Sequence, residues 1–123
     1  MPADTTEFTT KLENFLGLTV QYRETAGVTG SSIEAFTSLE SLTEQPQLIG
    51  LVRTSESNYF TYVIYANKAA LQFDGFAWGY RGEGPRGLAW LFEHIGFKKP
   101  EKLPPSGELG AWLVHPGGDI RKI

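Results

Sequence analysis

"QLIGLVRT" (residues 47–54) and "YFTYVIYA" (59–66), joined by the polar "SESN" (55–58), decide how this chain folds. β-Branched and aromatic residues dominate both segments, which suits a pleated, packed surface, and the short polar link predicts a β-hairpin. In the second segment both faces are apolar: Phe60, Tyr62 and Ile64 alternate with Tyr59, Val63 and Tyr65. Such a strand is either central and covered on both sides, or it offers one side as an interface. Helices to cover it are therefore sought in the flanking sequence.

Upstream, "DTTEFTTKLENFLG" places Phe8, Leu12, Phe15 and Leu16 on one face of a 3.6-residue period. Asp4 with Glu7 forms a capping-box spacing, and Gly17 stands where a C′ glycine ends a helix. "LTVQYRET" then alternates Leu18, Val20 and Tyr22 with polar neighbours and predicts a strand. Ser31 with Glu34 predicts a second helix start ahead of "IEAFTSLESLT", which Pro46 ends. Downstream, "AALQFDGFAWGY" predicts one more strand, broken or bulged around Asp74-Gly75. "PRGLAWLFEHIG" predicts a last helix with Leu88, Leu91, Phe92 and Ile95 inward and Gly96 at C′. A basic, proline-rich connector follows, then "AWLVH" as a short strand, with residues 117–123 trailing as a tail. The expectation is a small single α+β domain over 1–123. Its antiparallel or mixed sheet has about four to five strands, with about three helices packed on it.

The 123 residues are enough for one core, and 41% hydrophobic with 20% charged residues is ordinary for a globular domain. Sixteen aromatics oppose disorder. The chain has no cysteine, so thiolate chemistry and Cys-type zinc sites are excluded, and a reducing cytoplasm is the expected location. No apolar run approaches a membrane span, and "MPADTTEF" has neither the basic nor the apolar region of a secretion signal. The net charge of −3 divides into −5 over residues 1–66 and +2 over 67–123, which points an anionic ligand toward the C-terminal half.

The densest chemistry lies in "FAWGYRGEGPRGLAW" (76–90). Gly82, Gly84 and Gly87 spell G-x-G-x-x-G, and a helix N-terminus behind such glycines attracts anions. Arg81 and Arg86 could add charge-assisted hydrogen bonds. A dinucleotide site, however, needs a βαβ unit in a multi-strand parallel sheet, and the glycines come too late in the chain for one. Pro85 also removes an N–H, Glu83 sets a negative charge where phosphate would lie, and no G-K-[ST] ending marks a P-loop. The turn reading assigns Gly82, Gly84, Pro85 and Gly87 to the strand-to-helix turn. Trp78, Tyr80, Arg81, Glu83 and Arg86 exceed what a turn requires, which makes them the candidate ligand-binding residues. An ion pair from Glu83 to Arg81 or Arg86 would lock the turn.

The same stretch resembles a small domain family of bacteria, their plasmids and phages, in which an aromatic strand runs through W-G-Y-x-G-x-G-P into a helix. The matching positions are Phe76, Trp78, Gly79, Tyr80, Gly82, Gly84, Pro85, Leu88 and Ala89. The resemblance covers about fifteen residues and implies a prokaryotic or phage origin; it implies no activity.

Elsewhere the chemistry is sparse. His94 and His115 are the only histidines, and neither Glu93 nor Asp119 completes a metal set with them, so no metal and no cofactor are expected. No serine stands in a G-x-S-x-G setting. Asp74 and Glu83 near Tyr80 and Arg81 could perform acid–base work if buried together. Tyr59, Tyr62 and Tyr65 lack the basic groove of a single-strand platform, so core or interface is favoured over nucleic acid. The leading expectation is a non-enzymatic binding or accessory protein acting through protein contacts, including self-association through its aromatic strand face. The alternative is a small-molecule or nucleotide-phosphate binder at 78–87; a third is an enzyme with a Glu83/Arg86 site.

Overall fold

The computed structural model describes residues 7–25, 27–39, 44–55 and 58–123. In chain order these form α1 (Glu7–Leu16), β1 (Thr19–Arg23), α2 (Thr29–Leu39), β2 (Leu48–Arg53), β3 (Tyr59–Ile64), β4 (Ala69–Phe73), α3 (Glu83–Ile95), β5 (Gly110–Val114) and β6 (Ile120–Lys122). The strands make one mixed sheet in the order β1-β4-β3-β2-β5-β6, parallel only between β1 and β4. The architecture is α+β, with one strand more than the sequence suggested.

The hairpin of β2 and β3 sits at the centre, in register from Leu48↔Ile64 to Arg53↔Tyr59. Both faces of β3 are covered by the chain's own helices. Tyr62 and Ile64 join Leu12 of α1 on one side, while Val63 and Tyr65 join Phe36 of α2 and Leu88, Leu91 and Phe92 of α3 on the other. Tyr62, Val63 and Ile64 are thus buried within the chain, while Tyr59 and Phe60 at the start of β3 stay partly exposed. Burying Leu12 completely contributes about 1.5–3 kcal/mol, and Gly50 beneath it leaves room for its methyl groups.

The α1 layer is also tied down by charge. Arg23 donates to both Glu13 carboxylate oxygens at 2.6 and 2.7 Å, the Tyr62 hydroxyl donates to Glu13 Oε2 at 2.5 Å, and Gln72 Nε2 donates to the Tyr62 oxygen at 2.7 Å. Burial disfavours the Glu13 charge, but the bonds from Arg23 and Tyr62 prevail and hold its carboxyl below the usual range.

Several local expectations change. Asp4 lies outside the described residues. Gly17 adopts φ +65°, with Leu18 N–H donating to Glu13 O, a Schellman ending for α1; Gly96 does the same for α3. Phe15 is exposed rather than on the buried stripe. α2 begins at Thr29, so Ser31 is inside the helix and not its cap; residues 40–43, its expected end, lie outside the described set. In β1 a bulge at Gln21 sends Val20 and Tyr22 to opposite faces, because one inserted residue inverts the alternation. β4 stops at Phe73 and does not resume, although Phe76 and Trp78 beyond it are fully buried. Residues 117–123 are not a tail. "PGGD" makes a hairpin turn, closed by His115 N–H to Asp119 O at 2.9 Å, and β6 pairs with β5 through Trp112↔Lys122 and Val114↔Ile120. Among the described residues no helix is long and apolar enough to cross a membrane.

Candidate ligand-binding site

The glycine junction launches α3 as the turn reading describes. Gly82 is the N-cap residue and offers no side-chain bond; its carbonyl accepts the Arg86 N–H at 3.2 Å. Pro85 is the third helical residue, where its missing N–H costs nothing. A Cβ at Gly84 would fall 2.8 Å from Ala77 Cβ and 2.9 Å from the Tyr80 hydroxyl, and one at Gly87 would collide with Thr29 Cγ2. These glycines therefore serve close approach: the first turns of α3 rest on segment 76–80 and on the start of α2.

The five side chains singled out around this turn do not converge. Trp78 is wholly buried in the core, edge-on to Tyr59 with ring centroids 4.8 Å apart, and its Nε1–H finds no acceptor among the described residues. Tyr80 is exposed, its ring tilted toward Tyr59 at 6.3 Å. Glu83 and Arg86 lie instead on a groove of about 350 Å³ between α2 and α3, with Ile33 and Trp90. Arg81 is exposed, and no ion pair joins Glu83 to either arginine among the described residues.

Tyr80 belongs to a different cavity, of about 480 Å³, at the end of the sheet. Three strands end here: β1 and β4, which run parallel and are each followed by a helix, and β2 with Arg53; β3 begins here with Tyr59. The lining includes Arg53, Tyr59, Asp74, Tyr80 and Ser106, the last brought in by the proline-rich connector. Arg53 is only 5% exposed; its guanidinium carbon sits 4.6 Å above the Tyr59 ring and its Nε donates to Ser55 O at 3.2 Å. Cation and ring are thus held in one posture facing the cavity. Neither Arg53 nor Tyr59 was read from the sequence as a site residue. One signal was present: Arg53 is the lone charge closing the apolar run "LIGLV".

One wall of the cavity is built by the Asp74-Gly75 turn, and a buried acid holds it. Ser32 of α2 donates its hydroxyl to Glu24 Oε1, while Gly75 N–H donates to Ser32 Oγ at 2.9 Å and Asp74 N–H to Glu24 Oε1 at 3.4 Å. Asp74 Oδ1 in turn accepts the Gly27 N–H at 2.8 Å. Because side chains take the N–H groups of residues 74 and 75, the β4 ladder ends there. Burial pushes the Glu24 carboxyl above its ordinary range, and the neighbouring Asp74 carboxylate adds to the rise.

A carboxyl raised in the fold binds its proton more tightly there than in the unfolded chain. Glu24 therefore favours folding most at pH below about 4.5, and that advantage is lost as pH rises through its folded-state value. Glu24→Gln keeps the two accepted bonds without the charge. Urea midpoints measured from pH 4.5 to 7.5 should fall less steeply for the variant than for the wild type, with the variant the more stable at pH 7.5. Equal slopes would show that Glu24 is not raised.

His94 stacks on Trp90 at 4.7 Å, and Asp119 pairs with Arg121 at 3.0 Å. No group of three or more His, Asp or Glu placed to hold a metal ion occurs among the described residues. No family model, curated protein or solved structure matches this chain.

Proposed function

We propose that the chain is a non-enzymatic binding protein whose ligand site is the sheet-end cavity bounded by Arg53, Tyr59, Asp74 and Tyr80. The observation that carries this reading is the cavity itself, which opens at the strand ends and is lined by Arg53, Tyr59, Asp74, Tyr80 and Ser106, polar and aromatic groups drawn from separate segments of the chain. A volume of about 480 Å³ lies within the range of about 300–1,000 Å³ typical of small-molecule sites. The position at the carboxyl ends of the parallel strands β1 and β4 is where open α/β sheets also place their ligands. The absence of cysteine and the 76–90 resemblance support a setting in a prokaryotic cytoplasm.

The test is a thermal-shift screen of charged and aromatic metabolites against wild type and Tyr80→Ala, because a ligand that binds only the native state raises its melting temperature. At least one compound should stabilise the wild type by a few degrees and stabilise the variant less. A screen with no stabilising compound, or equal stabilisation of both proteins, counts against the cavity.

A second reading, a protein partner docked at the same end, is favoured by exposed apolar side chains. Val28, Tyr80 and Leu109 are 52%, 54% and 40% exposed and flank the cavity along the strand ends. Together they are three of the five large hydrophobics exposed among the described residues. Aromatic and arginine anchors in a pocket are also what protein interfaces use.

A further inference from the structure

On the solvent side of α3, Arg86 and Glu93 stand two helical turns apart, so both side chains leave the same face, with about 10 Å between their backbones. Charges pair along one helix at a spacing of three or four residues, and this spacing is nearly twice that. Both side chains are exposed, and among the described residues neither has an ion-pair partner. Between them lie Ala89 and Trp90, each only partly buried. His94 covers one face of the Trp90 ring, Phe36 meets the ring edge-on with centroids 6.2 Å apart, and the indole also lines the groove shared with Ile33 of α2. The ridge therefore runs from a cation, through a small residue and a partly exposed aromatic one, to an anion.

Reversed, that order is its own complement. We infer that the ridge docks a second copy of the chain, with the two α3 helices antiparallel about a twofold axis between Ala89 and Trp90. This axis sets Arg86 of each copy opposite Glu93 of the other, so one contact is made twice, as an isologous interface requires. Ala89 beside the axis lets the backbones approach to the roughly 8–10 Å of packed helices. The two Trp90 rings near the centre are the aromatic anchors that interfaces favour. One helix per copy is a small contact, so the dimer is weak, with a Kd on the order of tens of micromolar. The inference does not rest on the sheet-end cavity.

Sedimentation equilibrium at concentrations well below and well above that Kd should show the wild-type mass rising from one chain toward two. Arg86→Glu makes both ends of the ridge acidic, and Glu93→Arg makes both ends basic. Each variant alone should self-associate at least about tenfold more weakly, because like charges then face each other twice. An equimolar mixture of the two variants should regain the wild-type mass, since every acidic end now meets a basic one. Misfolded chains could not rescue each other, so that recovery separates lost pairing from a lost fold. A wild type that stays a single chain at every concentration overturns the second copy as occupant. Self-association that either variant retains alone puts the contact on another face and overturns the ridge. Variants that remain apart when mixed overturn the antiparallel pairing.

Discussion

Gly75→Ala should destabilise the protein by about 3 kcal/mol, far more than adding a methyl group to most glycines. The new Cβ would overlap Ser32 Oγ and the carbonyl of Val28, whose carbon would stand only 2.6 Å away. Overpacking of this kind costs about 1–3 kcal/mol. The shift it forces also disturbs the Gly75 N–H bond to Ser32, adding about 1 kcal/mol. Removing the side chain that clashes does not help, because the Val28 carbonyl is backbone and leads directly into α2. Ser32→Ala should therefore fail to rescue Gly75→Ala, and alone should cost about 1–2 kcal/mol by leaving a buried acid and an N–H short of a partner. Gly30→Ala is the internal control. It lies one residue into the same helix with nothing within 4 Å of the added methyl, and should stabilise by about 0.5–1 kcal/mol. Urea unfolding with unchanged m-values measures all four variants. Rescue by Ser32→Ala, or a Gly75→Ala cost below about 1 kcal/mol, would show that this turn is not pinned by Ser32 and the Val28 carbonyl.

The second large effect concerns Trp78, which the sequence offered as a ligand contact. It is among the largest fully buried side chains and packs edge-on against Tyr59. Trp78→Ala should cost about 3–5 kcal/mol, the usual loss on emptying a large aromatic site. Trp78→Phe should cost only about 1–2 kcal/mol, because it keeps most of the ring packing and sacrifices no hydrogen bond from Nε1. Denaturation of both variants separates a packing role from a recognition role. If Trp78→Phe is as damaging as Trp78→Ala, the indole nitrogen has a partner that packing alone does not supply.

These variants mark where sequence reasoning stopped. Leu91, Phe92, Ile95 and Gly96 predict α3 and its end because helical periodicity and a C′ glycine are local properties. The apolar faces of residues 59–65 likewise announce a strand that is either central or an interface, since alternation is read within the strand itself, and the covering helices are seen only in the fold. The end of β4 is different. It depends on Glu24 and Ser32, more than forty residues upstream, taking N–H groups from Asp74 and Gly75. The bulge at Gln21 is equally silent, because Val20 and Tyr22 look like one face until β1 pairs with β4. At the candidate site, Tyr80 was legible as an aromatic that a turn does not need. Arg53 was read only as a hairpin residue and Tyr59 as core or interface, since nothing within eight residues shows a cavity above them.

The sequence alone therefore determined most of the secondary elements, though not β6 or the end of β4, and the buried stripe of α3, because each follows from the spacing of side chains along one segment. Only the tertiary structure decided which side chains share a space. It buried Trp78, turned Glu83 and Arg86 into the groove between α2 and α3, and gathered Arg53, Tyr59, Asp74 and Tyr80 at the strand ends. Convergence depends on the order in which strands pair, and β1-β4-β3-β2 is fixed by contacts between segments far apart in the chain.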